Sequence, residues 1–484
     1  MSAALSLAHS GRSVTILERD SPPPSGDIDA AFFSWNRNGA AQFRHPHAFL
    51  GLLCNLLEQH YPDLLQEFYA AGARRVNFQE MLPAQLRENY TPAKQDEALW
   101  VLMCRRATIE TVMRRFVARQ ANIKIINHAR VTGLLAETST NGLRVEGLQV
   151  DVDGAQQQLP ANIVVDASGR RSRFPRWFEQ MDAPISEEKA GAEIVYYTRH
   201  YQLCEGRHEP PRGERSGAGD LGYLKFGVFP GENGHFAIIL CVPVAEVALK
   251  RAVRDPQQFD NICLNIPGLQ PWLTDHRARA TTRPFGIGDI TAVWRDYLTN
   301  DEPVALNFFA IGDAAVRTNP LYGRGCSMSV LHANLLADTL ADVTDPVTRA
   351  QVFSQRTEQA LRPIWNASLR EDRRGIRRST ASMQGLLLES PNSLRQWLRL
   401  AFGDALAAAV REQLHVARGA FRTFHLLEKP GAFLADWRVR GTLLRYLLRG
   451  RRRNAARRLQ PGPNRQAMHA ALDLPATEAP IPDN

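Results

Sequence analysis

Apolar positions along this chain switch repeatedly between a helical and a strand period. They fall at helical spacing over Ser2–Gly11 and stop at the glycine, and Arg12–Glu18 follows as a short β-branched strand ending in an acid. The loop Pro22–Gly26 precedes a second helical pattern that runs to about Ala71. A helix is expected over Cys104–Arg115, then strands at Ile123–Ile126, Arg130–Leu135 and Leu143–Val152. Another strand ends at Asp166, and strand-like runs recur at Glu193–Thr198, Gly222–Phe229 and His235–Val242. The apolar run Val304–Ile311 ends in Gly312-Asp313, and a loop with Pro320, Gly323 and Gly325 leads into a periodic helix. From Asp345 to about Arg458 the pattern is helical, and Gln460–Asn484, rich in Pro and Ala, reads as a disordered tail.

Length and composition narrow the class. The 484 residues suggest about two or three domains. With 44% hydrophobic and 23% charged residues, wholesale disorder is excluded. Six scattered cysteines form no Cys-x-x-Cys pair, which points away from a zinc site or disulfide framework and toward a reducing cytoplasm. No apolar run approaches the roughly 18 residues of a membrane span, and Met1–Ala8 lacks the basic start of a signal peptide. The net charge of +9 is uneven: residues 370–458 hold 20 Lys and Arg against 7 Asp and Glu, so the remainder is about −4.

The stretch Gly312–Ala333 carries the most chemistry. Asp313 at a strand end can accept hydrogen bonds from ribose or ribityl hydroxyls, and Gly312 lets the backbone pass close to a cofactor. Pro320 fixes the loop, while Gly323 and Gly325 allow backbone amides to face a planar ring. The helix behind them turns its positive end toward that ring. At the other end of the chain, helix, glycine, strand and Glu18 form the second half of a dinucleotide-binding βαβ unit, with Glu18 where an acid would hold a ribose hydroxyl.

Together these segments resemble FAD-dependent monooxygenases of the p-hydroxybenzoate hydroxylase and squalene epoxidase fold. The resemblance extends to Val-Asp-Ala-Ser-Gly-Arg-Arg-Ser at 165–172, to the Arg106 helix with its Ile-Glu, and to Gln-Phe-Arg-His-Pro-His at 42–47, which is similar to bacterial polyether-type FAD epoxidases. It implies an α/β fold: a Rossmann-like FAD/NAD(P)-binding domain of glutathione reductase type, a β-sheet substrate domain and a helical C-terminal region. The implied boundaries are 1–45, 100–175 and 303–345 for the discontinuous FAD domain, 46–99 for a helical insert, 176–302 for the substrate domain, 346–459 for the basic helical region and 460–484 for the tail. The family's first strand and Gly-x-Gly-x-x-Gly turn would stand just before Met1, so a truncated or mis-started sequence that holds FAD weakly is expected.

The resemblance places Glu18, Arg44, Arg106, Asp166, Gly169, Gly312, Asp313, Pro320, Gly323 and Gly325 around FAD, with Arg44, His45, His47 and Tyr223 as pocket candidates and no metal. It implies that NAD(P)H reduces the flavin and that O2 adds at C4a, giving a hydroperoxide that oxygenates an apolar metabolite. Such an enzyme is an epoxidase or hydroxylase. A reductase of isoprenoid-like double bonds, or a non-catalytic remnant, is the alternative. Nucleic acid is not an expected partner, since no binding motif accompanies the basic region. The last expected helix, Leu434–Arg449, carries a stripe of Leu443, Leu444, Leu447 and Leu448 beside arginines, so it either caps the body or rests peripherally on an anionic inner-membrane face.

Overall fold

A computed structural model describes residues 1–40, 42–139, 142–211, 216–386, 391, 393–455 and 461–475. The chain opens with helix α1 (Ser2–His9), which buries Ala4, Leu5 and Leu7 and turns at Gly11, where φ is +81°. Strand β1 (Val14–Leu17) follows. Helices α2 (Gly51–His60) and α3 (Pro62–Ala70) lead to β2 (Arg74–Asn77) and β3 (Trp100–Met103). Next come α4 (Arg106–Ala118), β4 (Ile123–Ile126), β5 (Ala129–Ser139), β6 (Gly142–Val152), β7 (Ala155–Pro160) and β8 (Val164–Asp166). β1 and β4 pair in parallel, the geometry that a crossover connection demands. β5, β6 and β7 form an antiparallel meander on the flank. The segment 46–99 is not purely helical: β2 pairs antiparallel with β3, burying Val76 between exposed Arg74 and Asn77, and Asn77 pairs with the fully buried Trp100.

The sheet of the middle region comprises β9 (Ser186–Gly191), β10 (Ile194–Leu203), β11 (Lys225–Pro230), β12 (His235–Pro243), β13 (Phe285–Ile287) and β14 (Thr291–Asp296), in two sections. β10 is central to the larger section, antiparallel to β12 and β13. Alternation along β10 decides what each face does. Tyr197 and Tyr201 pack with Phe236, Phe259 and Trp272 against short helices at 247–273, which sequence periodicity did not reveal. Tyr196, Thr198 and His200 point the other way. The β11–β12 turn sends Glu232 inward, where it accepts from the Arg105 backbone N–H (2.9 Å) and the Thr108 hydroxyl (2.6 Å) and ties the sheet to the start of α4.

β15 (Phe308–Ala310) runs parallel to β8, and α5 (Gly325–Asp342) packs on α1. The 38-residue α6 (Pro346–Met383), about 57 Å long at helical rise, crosses from the β15 core, through Leu361 and Trp365, to the sheet at Arg378–Asp220. α7 (Leu394–Glu412), α8 (Leu414–Phe424) and α9 (Trp437–Arg449) form a helical end piece. Among the described residues no helix is long and apolar enough to cross a membrane.

Two further expectations need correction. The tail is not disordered throughout: α10 (Arg465–Ala471) is capped by Asn464 and buries Met468 and Leu472 in the sheet's core, while Arg465 meets the buried Glu246 at 2.7 Å. Residues 460 and 476–484 lie outside the described residues. The leucine stripe is also split: Leu443 packs inward, whereas Leu444, Leu447 and Leu448 are exposed.

Candidate functional site

β15 delivers the chain to Gly312 with φ +58°, and a Cβ there would stand 2.9 Å from the Ser329 hydroxyl, so glycine is required on two counts. Asp313 follows, set deep in the molecule. Burial pushes its carboxyl above the usual range although Arg317, Arg106 and Arg170 oppose the shift. The loop beyond is held from both sides. Asn319 accepts from the Leu321 N–H at 3.0 Å and from the Tyr196 hydroxyl, and it donates to Asp372 on α6 at 2.6 Å. Tyr322 donates to the same Asp372 oxygen at 2.8 Å. Pro320 thus sits in a braced turn. Gly323 has φ +66° and lies against Ala48, where an added Cβ would come within 2.7 Å. Gly325, the first residue of α5, differs: a Cβ there would meet nothing within 4 Å, and no side chain caps the helix.

Arg106 opens α4 and is fixed by Glu110 (2.7 Å) and by the Cys326 sulfur (3.1 Å). Glu110 is buried, yet Arg106 and Arg37 overcome that burial and hold its carboxyl below the usual range. Arg37 spans three carboxylates, Glu18 and Asp20 at 2.9 Å each and Glu110 at 3.0 Å. Glu18 also accepts from the Asp20 N–H at 3.0 Å. A chain of charges therefore runs from Glu18 through Arg37, Glu110 and Arg106 toward Asp313. His47, Asp313 and Cys326 all lie close enough to Arg106 for its charge to act on them, so the four form one deeply set polar cluster.

The Gln42–His47 segment lies between this polar cluster and the sheet. His45 meets the Thr198 hydroxyl at 2.9 Å, and the Arg44 carbonyl accepts from His200 at 2.7 Å. His47 donates through Nδ1 to the His45 carbonyl (2.9 Å) and lies near Arg106. Burial lowers the His45 pKa to about 4, and burial with Arg106 nearby lowers that of His47 to about 3, so both are neutral at physiological pH. The Arg44 guanidinium turns away, to the Phe33 carbonyl (3.2 Å) and the Phe285 ring, and does not join Arg106 and Asp313.

Asp166 is 1% exposed, and both of its oxygens serve its own turn, through Ser168 and Ser172. It shapes the turn that presents Gly169, whose φ of +75° faces open space. Tyr223 is no pocket residue: it is fully buried, with its hydroxyl on the Pro463 carbonyl at 2.9 Å. The sequence reading missed Arg37, Asn319 and Asp372. Only Arg37 had a local signal, its place after the acids Glu18 and Asp20.

Two cavities adjoin neighbouring elements. One, of about 560 Å³, lies beyond β1 against Pro22–Gly26, Arg114 and Asn127. The other, of about 600 Å³, adjoins the braced loop at Asn319 and Leu321, with Ile194, Lys225, Ile376 and Met383 in its wall. These features are ones that an FAD molecule would need. Gly169 and Gly325 leave open space where side chains would intrude, and α5 offers uncapped amides.

No protein-family model matches the chain. It is 25% identical over 382 residues to protein Rv3254 of Mycobacterium tuberculosis, covering 75% of this chain and 76% of that protein. Among solved structures it is similar to the p-nitrophenol 4-monooxygenase PnpA of Pseudomonas putida DLL-E4, with TM-score 0.56, 15% identity, and 89% and 95% of the two chains covered. It is also similar to the flavin-dependent brominase Bmp2, with TM-score 0.55, 14% identity, and 93% and 96% covered. One neighbour oxygenates and the other brominates, so the fold leaves the reaction open. The chain has the mixed α/β fold of FAD-binding monooxygenases, with a sheet-rich middle region and a helical C-terminal region.

Proposed function

We propose that the chain is an FAD-dependent oxidoreductase, a monooxygenase of epoxidase or hydroxylase type that uses NAD(P)H and O2 on an apolar metabolite. The observation that carries this reading is the deeply set pairing of Arg106 with Asp313 beside the open, uncapped start of α5, where Arg106 reaches Cys326. When bound, FAD would supply hydride acceptance from NAD(P)H and the transfer of one oxygen atom from O2.

The chain's own residues bind and orient. The α5 amides at Gly325 and Cys326 favour negative charge at the helix start. Asp313 accepts hydroxyl hydrogen bonds, and Arg106 is held against movement by Glu110. Glu18, oriented by Arg37, serves the ribose end, and the 560 Å³ cavity beyond β1 takes the adenine. His47 spends its Nδ1 proton on the His45 carbonyl, which leaves Nε2 free to act as an acceptor. The apolar side of the 600 Å³ cavity holds the substrate away from water.

The test is titration of the purified 484-residue protein with FAD, read by flavin fluorescence and co-elution, then by NAD(P)H oxidation with oxygen uptake. Saturable binding that Asp313→Ala and Arg106→Ala weaken, together with NAD(P)H-driven oxygen consumption, is expected. Absence of FAD binding overturns the proposal. Binding with NAD(P)H oxidation but no oxygen uptake assigns a reductase instead.

A further inference from the structure

Ten of the fourteen large apolar side chains exposed among the described residues lie between Leu386 and Leu448. They form two rows. On α7, Leu394, Trp397, Leu398 and Phe402 continue, at three- and four-residue spacing, the row whose far end (Ala405, Ala408, Ala409) packs under α9. On α9, Val439, Leu443 and Tyr446 face α7, while Trp437, Leu444, Leu447 and Leu448 point outward, Trp437 with 75% and Leu448 with 80% of its surface exposed. A helix that only caps a body buries one apolar row and shows a polar one; α9 shows a second apolar row.

Arginines accompany that row. Arg438, Arg440, Arg445, Arg452 and Arg453 are exposed, and none has a carboxylate partner among the described residues. Residues 370–458 carry +13, whereas the rest of the chain carries about −4. A second copy docking here through a two-fold axis would bring like-charged arginines together. A surface of negative headgroups over an apolar interior matches both the arginines and the leucines.

We propose that the outer row of α9, with the bare first turns of α7, docks on an anionic lipid bilayer, leucines and Trp437 entering the headgroup–acyl boundary and arginines meeting lipid phosphates. This goes beyond the flavin reading and stands without it. The contact is peripheral, since no described helix can span a bilayer.

The test is flotation of the full-length protein with vesicles of phosphatidylcholine alone or mixed with phosphatidylglycerol. Binding only to the mixed vesicles, weakened by salt, is expected. Arg438→Gln and Arg445→Gln should each weaken partition about fivefold. Leu444→Ser with Leu448→Ser should weaken it about tenfold or more; both side chains are exposed, so an unchanged melting curve shows that the fold is intact. Equal binding to neutral vesicles, no binding to either, or binding indifferent to the leucine pair overturns the proposal. So does light scattering that shows the wild type dimeric and the leucine variant monomeric, which gives the surface to a second copy. Salt-sensitive binding to DNA in place of vesicles likewise overturns it.

Discussion

Gly325→Ala separates the cofactor's needs from those of the fold. The residue opens α5 with an ordinary negative φ, and its added Cβ would meet no protein atom within 4 Å. Alanine at a helical position restricts the unfolded chain more than glycine does, which is worth up to about 1 kcal/mol in favour of the fold. The apoprotein should therefore unfold at equal or slightly higher denaturant. If the open space before α5 belongs to the flavin ring, the same methyl intrudes on it. Overpacking of that kind costs about 1–3 kcal/mol, or about five- to 150-fold in affinity. The assay pairs urea unfolding of the apoprotein with FAD titration. Gly323→Ala is the counterpart. Its φ of +66° and the 2.7 Å approach to Ala48 strain the protein itself, so about 2–4 kcal/mol of stability should be lost with or without FAD. Unchanged FAD affinity in Gly325→Ala would refute the placement of the ring, and a destabilised apoprotein would refute the account of the helix start.

Arg37→Met should lower stability by about 3–5 kcal/mol, because Glu18, Asp20 and Glu110 lose their shared cation in a site where Arg37 is 10% exposed; an unfolding midpoint equal to wild type would show that the network contributes nothing. Asp313 has its pKa raised above 3.8 in the apoprotein. The folded state then binds more protons than the unfolded one, and this group's contribution to stability falls as pH rises from about that value. Asp313→Asn should flatten that part of the apoprotein's pH–stability curve while weakening FAD retention; an unchanged curve would mean that the carboxyl is solvated. Met468→Ala should cost about 2–4 kcal/mol, since Met468 is fully buried against the sheet's core, whereas a disordered tail would register no change in a denaturant titration.

What was legible in the sequence depended on how local its cause is. Gly312 and Gly323 could be read because their left-handed backbone is a demand of the loop itself, and Arg106 and Asp313 because each sits at a helix start or strand end whose period points inward. The converse cases share one physical trait. Asp372 reaches Asn319 and Tyr322 from 50 or more residues away; its place on the buried row of α6 with Trp365 and Leu369 marks it as inward, but nothing local names its partners. Asp166 looked like a cofactor ligand, yet its serines lie two and six residues on and take both its oxygens, so a local pattern was read as a distant one. The tail shows the opposite error. Proline and alanine lower the drive to fold in isolation, but Met468 and Leu472, four apart behind an Asn464 cap, needed only an outside surface to bury against. The leucines of α9 pose the same question with the surface missing: 3.6 residues per turn cannot hold Leu443 and Leu448 on one side, so once Leu443 is committed to α7, Leu444 and Leu448 must face outward. The exposed row is then a consequence of the packed one, and the arginines beside it determine what can cover it.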